Sequence, residues 1–337
     1  MSVLGVDNIL IPVSFGTDKK RTSYVASLLS QQVDYTQEEI LQDDKYSKTV
    51  KTLARWFFPL FRAMAQRLKV EKTVYVNNWL LSTNLYDKLN PEQISGMLNF
   101  LCAKFPEYAI LFRSVNETTD PELFRTLQLA GAIPLVSRQV YLLHQDKKKY
   151  KKKRPFVTDK KYWEKRKDLR WFEGNGSLTM STNNKIVEYY NNIYLEKYSV
   201  LNPQYTEKFI EIAANSKVLS FQLMENQDNE LLAVQAVYYS GGKITTPFIG
   251  YDTSLPREEG IYRLMNMQLM QEAINKNLFL NMSSGAGKFK RQRGGEPSFE
   301  HHFVYVNHLS NFRQLVWRVL HFFSEKYAKP AMIHYQV

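Results

Sequence analysis

The densest set of reactive side chains lies between Ser283 and Pro297, in the run SSGAGKFKRQRGGEP. Gly285, Gly287, Gly294 and Gly295 leave backbone N–H groups open to close approach, as anion-binding loops require. Lys288, Lys290, Arg291 and Arg293 place four cations within six residues, and no acid follows them until Glu296. The run comes after the apolar stretch LFLNM, and the end of a strand is the usual ligand position in an open α/β sheet. The chemistry on offer is the binding of a phosphate, or of an oxyanion that develops during group transfer. The spacing matches neither GxxxxGK[ST] nor GxGxxG, so neither nucleotide hydrolysis nor a dinucleotide is implied. The six histidines form no HxxxH or HExxH pair, and Cys102 is the single cysteine, so neither a metal site nor a disulfide framework is expected.

Such groups need a scaffold, and two parts of the sequence read alike. In the first, TVYVNNWLLSTNLY (73–86), YAILFRSV (108–115) and VSRQVYLL (136–143) have the composition of strands. Asn90-Pro91-Glu92 and Asp120-Pro121-Glu122 are helix starts, an N-cap followed by proline in the first turn. Gly131 is a helix stop. In the second, KITTPFIGYD (243–252), LFLNMSS (278–284) and FEHHFVYV (299–306) are strands, with a helix over 259–276. Gly241-Gly242 predicts a hairpin back to LLAVQAVYYS (231–240). Both parts run strand, helix, strand, short helix or loop, strand, so the predicted class is α/β with a mixed sheet in two similar units. Residues 48–68 carry Leu53, Trp56, Phe57, Leu60, Phe61 and Met64 at helical spacing, with Pro59 placed to bend that helix. Met265, Met267 and Met270 read as core filler.

Between Lys147 and Arg170 stand thirteen basic and three acidic residues, ten of the net +12, so the rest of the chain is near neutral. Like charges in a block repel and Pro155 ends regular structure, so 146–170 reads as a basic linker and helix between a unit 1–145 and a unit 171–337. Its cations alternate with Tyr150, Phe156, Tyr162 and Trp163. That composition fits a solvated segment, or a nucleic-acid contact in which cations follow phosphates and rings stack on bases.

The run from the helix at 259–276 through LFLNMSS and GAGKFKRQRGGEP to the strand at 299–306 resembles the last third of the Fem-like and BioF2-like members of the GNAT (acyl-CoA N-acyltransferase) superfamily. The matching features are a strand ending in small residues, the aromatic–lysine pair Phe289-Lys290 and the glycine pair Gly294-Gly295. The resemblance covers about 240–306 by motif and most of the chain by element order. It implies two GNAT-like units in tandem with the donor site in the C-terminal one. The donor phosphates would sit at a helix N-terminus, here Arg257, Gly260, Ile261 and Tyr262, with Gly285 and Gly287 close by. Lys288, Arg291, Arg293 and Glu296 would contact substrate, and Lys290 a phosphate or the reacting carbonyl. Direct transfer needs a base for the amine proton and an acid for the leaving group. Asp252, Tyr262, His302 and Lys290 are the leading candidates, beside Tyr239, His301 and Tyr305. The GNAT pyrophosphate signature Q/R-x-x-G-x-G/A is not present; LPREEGIYRL stands in its place.

At 337 residues with 44% hydrophobic content the chain can bury about two domain cores. No apolar run reaches the ~18 residues of a membrane span, and no basic n-region opens the sequence, so a cytoplasmic location is expected. The expected function is N-acyl transfer from acyl-CoA to an amine of a small molecule or peptide. The alternatives are an aminoacyl-tRNA-dependent transferase, and a non-catalytic RNA-binding protein on a GNAT scaffold. No tightly bound cofactor is expected: acyl-CoA, or aminoacyl-tRNA held through 147–170, is a co-substrate.

Overall fold

The computed structural model describes residues 1–17, 22–174 and 178–335. In chain order the strands are β1 (Ser2–Val6), β2 (Ile9–Phe15), β3 (Thr73–Val76), β4 (Ala109–Asn116), β5 (Ile133–Leu143), β6 (Arg170–Glu173), β7 (Ser220–Glu225), β8 (Leu231–Ser240), β9 (Lys243–Tyr251), β10 (Phe279–Asn281) and β11 (Glu296–Tyr305). The α-helices are α1 (Thr36–Gln42), α2 (Lys48–Arg67), α3 (Pro91–Lys104), α4 (Pro121–Leu129), α5 (Arg154–Lys165), α6 (Met180–Asn191), α7 (Glu207–Asn215), α8 (Ile261–Asn275), α9 (Gly287–Gln292), α10 (Asn311–Phe323) and α11 (Lys329–Tyr335). The two stretches that read alike hold the same elements: β3-α3-β4-α4-β5 and β9-α8-β10-α9-β11.

The chain forms two compact units. The first comprises Met1–Arg138, Ser199–Pro203 and Phe299–Gln336, the second Gln139–Tyr198 and Gln204–Ser298, and the division falls inside β5. In the first unit the strand order is β1-β2-β3-β4-β11-β5. The pair β3 and β4 is parallel, bridged by α3, and β2 and β11 flank it antiparallel. Alternate residues of these strands enter two cores, as a period of two requires when both faces are covered. Val74, Val76, Ile110 and Phe112 meet α3 and α4. Tyr75, Ala109 and Leu111 meet Ala65 of α2 and Trp317 of α10. In the second unit the order is β6-β7-β8-β9-β10-β5, and the parallel pair is β9 and β10, bridged by α8. The tight turn at Gly241 and Gly242, both at positive φ, sets the β8–β9 register as the sequence predicts.

Three expectations need correction. The closing strand and helix do not belong to a 171–337 unit: from Phe299 onward they lie in the first unit. There Phe303 completes one core and Val304 and Trp317 the other. Nor is 146–170 a linker. Phe156 and Trp163 of α5 pack on Met267, Met270 and Ala273 of α8, so the basic segment is built into the second unit and the methionines are core. Finally, α2 runs through Pro59 and buries Ala54, Arg62 and Ala65; of its apolar stripe only Phe61 packs on the core, while Leu53, Trp56, Phe57, Leu60 and Met64 are exposed.

Candidate active site

Each parallel pair feeds a crossover helix whose N-terminus carries unpaired amides and the positive end of the helix dipole. In the first unit these amides are spoken for. Asn90 and Gln93 form a capping box at α3, with the Gln93 amide donating to Asn90 at 2.8 Å. In the second unit the N-cap of α8 is Gly260, which has no side chain to cap with. The chain enters it through Pro256 and a single 3-10 turn, Arg257–Glu259, and then Gly260 at φ 58°. A Cβ at Gly260 would lie 3.2 Å from the Tyr162 ring and in a conformation that costs L-residues, so glycine is required twice over. Local sequence thus leaves one of the two equivalent helix ends open to an anion. Arg257 is exposed at its threshold.

Helix α5 flanks that end. The Tyr162 hydroxyl donates to the Glu259 carbonyl at 3.0 Å, and Arg166 pairs with the Glu259 carboxylate at 3.0 Å. Buried Asp159 joins two elements by accepting from Arg263 of α8 at 2.7 Å and from Arg293 beyond α9. The Arg293 guanidinium lies 3.5 Å from the centre of the Phe289 ring, and that ring is 5.2 Å from Tyr262 in the first turn of α8. Tyr262, Phe289, Arg293, Asp159 and Arg263 therefore form one connected wall beside the open helix end. Burial raises the Tyr262 phenol above its ordinary value, so it is protonated at neutral pH and is an acid rather than a base.

All three acids of the basic stretch are engaged: Asp159 as above, Glu164 with Lys160 at 3.7 Å, and Asp168 with Arg166 at 2.7 Å. Lys151, Lys152, Arg154, Lys161, Lys165 and Lys167 are exposed, and none has an acid partner among the described residues.

Lys290 departs from the expectation. It is buried, and its Nζ donates to the carbonyls of Ser283 at 3.2 Å and Ser284 at 2.6 Å, at the end of β10. The amine thus holds the loop before α9 in place. Lys290→Met leaves these carbonyls without this donor, so we expect a loss of about 1–3 kcal/mol in urea unfolding. A variant as stable as the parent would show that the loop does not depend on the amine. Arg291 donates to the Tyr141 hydroxyl at 2.8 Å, and a Cβ on Gly287 would strike that hydroxyl. Gly287 is therefore a packing glycine. Gly285 lies exposed at φ 72°, and Lys288 and Glu296 are exposed. Asp252 ends β9 by accepting from Ser254 N at 2.9 Å and Ser254 Oγ at 2.6 Å.

His302 lies on β11 of the first unit, buried, with Nε2 3.0 Å from Gln31 and no partner for Nδ1 among the described residues. Burial, reinforced by Arg113 and Arg138, drives its pKa well below the ordinary value, and burial brings His301 down to about 4. Both are neutral at pH 7 and weak bases. Asn78 and Arg113, polar groups at strand ends, bond each other at 2.8 Å and hold Ser14 and the Val25 carbonyl. They tie loops to strands. Tyr239 is bonded to Glu272, and its phenol is raised by burial first and by that carboxylate second.

The residue that sequence reading missed is Asp159. Phe156, Asp159 and Trp163 stand at i, i+3 and i+7, one face of α5, which was the available signal that this acid points inward.

No protein-family model matches the sequence, and no curated protein sequence matches it. Among solved structures, FemX is similar with a TM-score of 0.50 at 10% identity, covering 69% of this chain and 80% of that one. L-PGS from Bacillus licheniformis gives 0.47 at 14% identity, with 68% and 78% covered. A tandem GNAT protein from the clavulanic acid biosynthesis pathway gives 0.39 at 9%, with 69% and 75% covered. The FemX likeness bears on the fold alone: the chain has the Fem-like fold of two GNAT-like units in tandem.

Proposed function

We propose that the chain transfers an aminoacyl group from aminoacyl-tRNA to an amine by direct attack on the donor ester. One observation carries the reading: the uncapped end of α8 stands beside α5, whose exposed cations have no acid partners among the described residues. A helix end of this kind takes one or two phosphates. Coenzyme A is a compact anion, whereas six unpaired cations on and around a helix of about 18 Å suit a polyanion with regularly spaced phosphates. In this account α8 and Arg257 hold the donor phosphates, the latter through a charge-assisted bond. The amine nitrogen attacks the ester carbonyl, and the C–O bond to the ribose breaks. The departing ribose oxygen takes a proton from Tyr262, whose phenol is the protonated group beside the helix end, and the proton that the attacking nitrogen loses returns through solvent to that phenol.

Acyl-CoA remains the second reading, because the same helix end would serve its pyrophosphate without any help from α5. The two separate in one assay. Labelled aminoacyl-tRNA is incubated with a pool of small amines and peptides, and base-stable amide label is counted. Expected is label formation that RNase abolishes, with Arg257→Ala raising the donor KM about tenfold at little cost in kcat. Amide formation from acyl-CoA that survives RNase would move the reading to acyl-CoA. RNA binding without transfer would leave a non-catalytic binding protein.

A further inference from the structure

The first unit carries an outer apolar layer that none of the described residues covers. On α2, Leu53, Trp56, Phe57, Leu60 and Met64 are between 49% and 79% exposed. On α10, Phe312, Leu315, Val319, Phe322 and Phe323 are between 44% and 60% exposed. The two helices pack on one core through their opposite faces, with Ala65 and Trp317 turned inward. They are tied where α2 ends, the Arg313 guanidinium donating to the Lys69 carbonyl at 3.1 Å. Ten large apolar side chains are therefore exposed on two helices that share one core, where monomeric surfaces usually scatter such residues singly.

The charges around this layer select its occupant. No acid occurs in α2 or α10, while Lys48, Arg55, Arg67, Arg318 and Lys326 are exposed around their apolar faces. Acids close to the two helices are paired: Asp34 with Arg62 of α2 at 2.7 Å, Asp43 with Lys45 at 2.7 Å, Asp44 with Lys51 at 3.7 Å and Glu325 with Lys329 at 3.0 Å. A second copy meeting this face across a two-fold axis would set the same cations against each other with no acid between them. An anionic surface is complementary. Among the described residues no helix is long and apolar enough to cross a membrane. Outward Trp, Phe and Leu with surrounding Lys and Arg are the composition of a helix that lies in a lipid interface.

We propose that the α2–α10 face docks the protein on an anionic phospholipid bilayer, with the ten apolar side chains entering the headgroup boundary and the cations meeting lipid phosphates. The test is flotation of the full chain with vesicles of phosphatidylcholine alone and of phosphatidylcholine mixed with phosphatidylglycerol. The parent should float with the mixed vesicles, less so as salt is raised, and poorly with phosphatidylcholine alone. Trp56→Ser with Leu60→Ser should weaken binding by about tenfold or more, since each loses an apolar side chain from the interface. Arg67→Glu with Arg318→Glu should weaken binding to mixed vesicles only. All four positions are exposed, and circular dichroism at an unchanged melting temperature confirms the fold of each variant. Absence of binding to mixed vesicles, binding by both variants equal to that of the parent, or a dimer in light scattering that the serine variant dissociates would each overturn the proposal.

Discussion

Replacing Asp159 by alanine is expected to cost about 3–5 kcal/mol of unfolding free energy. The carboxylate is 4% exposed and holds two guanidinium groups, Arg263 on α8 and Arg293 beyond α9. Its loss strands Arg293, 10% exposed, against the Phe289 ring. Arg263, 37% exposed, can turn to water, so its share of the loss is smaller. Urea unfolding should show a lower midpoint at unchanged slope. Arg293→Met should recover part of the loss in the Asp159→Ala background, because the stranded charge is then gone. A loss under about 1 kcal/mol would mean that the wall beside α8 stands without its ionic tie.

The second large effect concerns α5 and its flank. Changing Lys152, Lys161, Lys165 and Lys167 together to alanine should lower the slope of log affinity against log salt for tRNA by about three, and weaken binding steeply at low salt. Stability should hold or rise slightly, because none of the four has an acid partner among the described residues and their mutual repulsion falls. Transfer from an acyl-CoA, if it occurs, should not respond. A salt slope equal to that of the parent would place RNA elsewhere or nowhere.

The local elements were legible because their signals are local. Asn90-Pro91 with Gln93 writes the start of α3 into four residues, and Gly241-Gly242 writes the β8–β9 hairpin. The repeated strand–helix order followed from such marks and led to the correct fold class. What the sequence hid depends on partners far along the chain. FEHHFVYV reads as a strand wherever it pairs; its seat beside β4 is decided by Phe303 and Val304 filling the two cores of the first unit. A cation-rich loop looks like a binding site until the fold turns Lys290 onto two carbonyls and Arg293 onto an aspartate. In α2, the apolar stripe and the core-facing side are both amphipathic solutions. The helix buries its small residues, Ala54 and Ala65, where it lies close to the sheet. The open end of α8 was anticipated at Gly260; its contrast with capped α3 emerges only when both crossover helices are seen in equivalent positions.

The central claim is that the open helix end and the basic helix beside it together hold an RNA-borne acyl donor. Native mass spectrometry of freshly purified protein tests it most directly. The expected result is a co-purifying RNA of transfer-RNA mass that RNase removes and that is depleted in the fourfold lysine variant. A bound CoA thioester with no RNA, at the same occupancy in that variant, would contradict it.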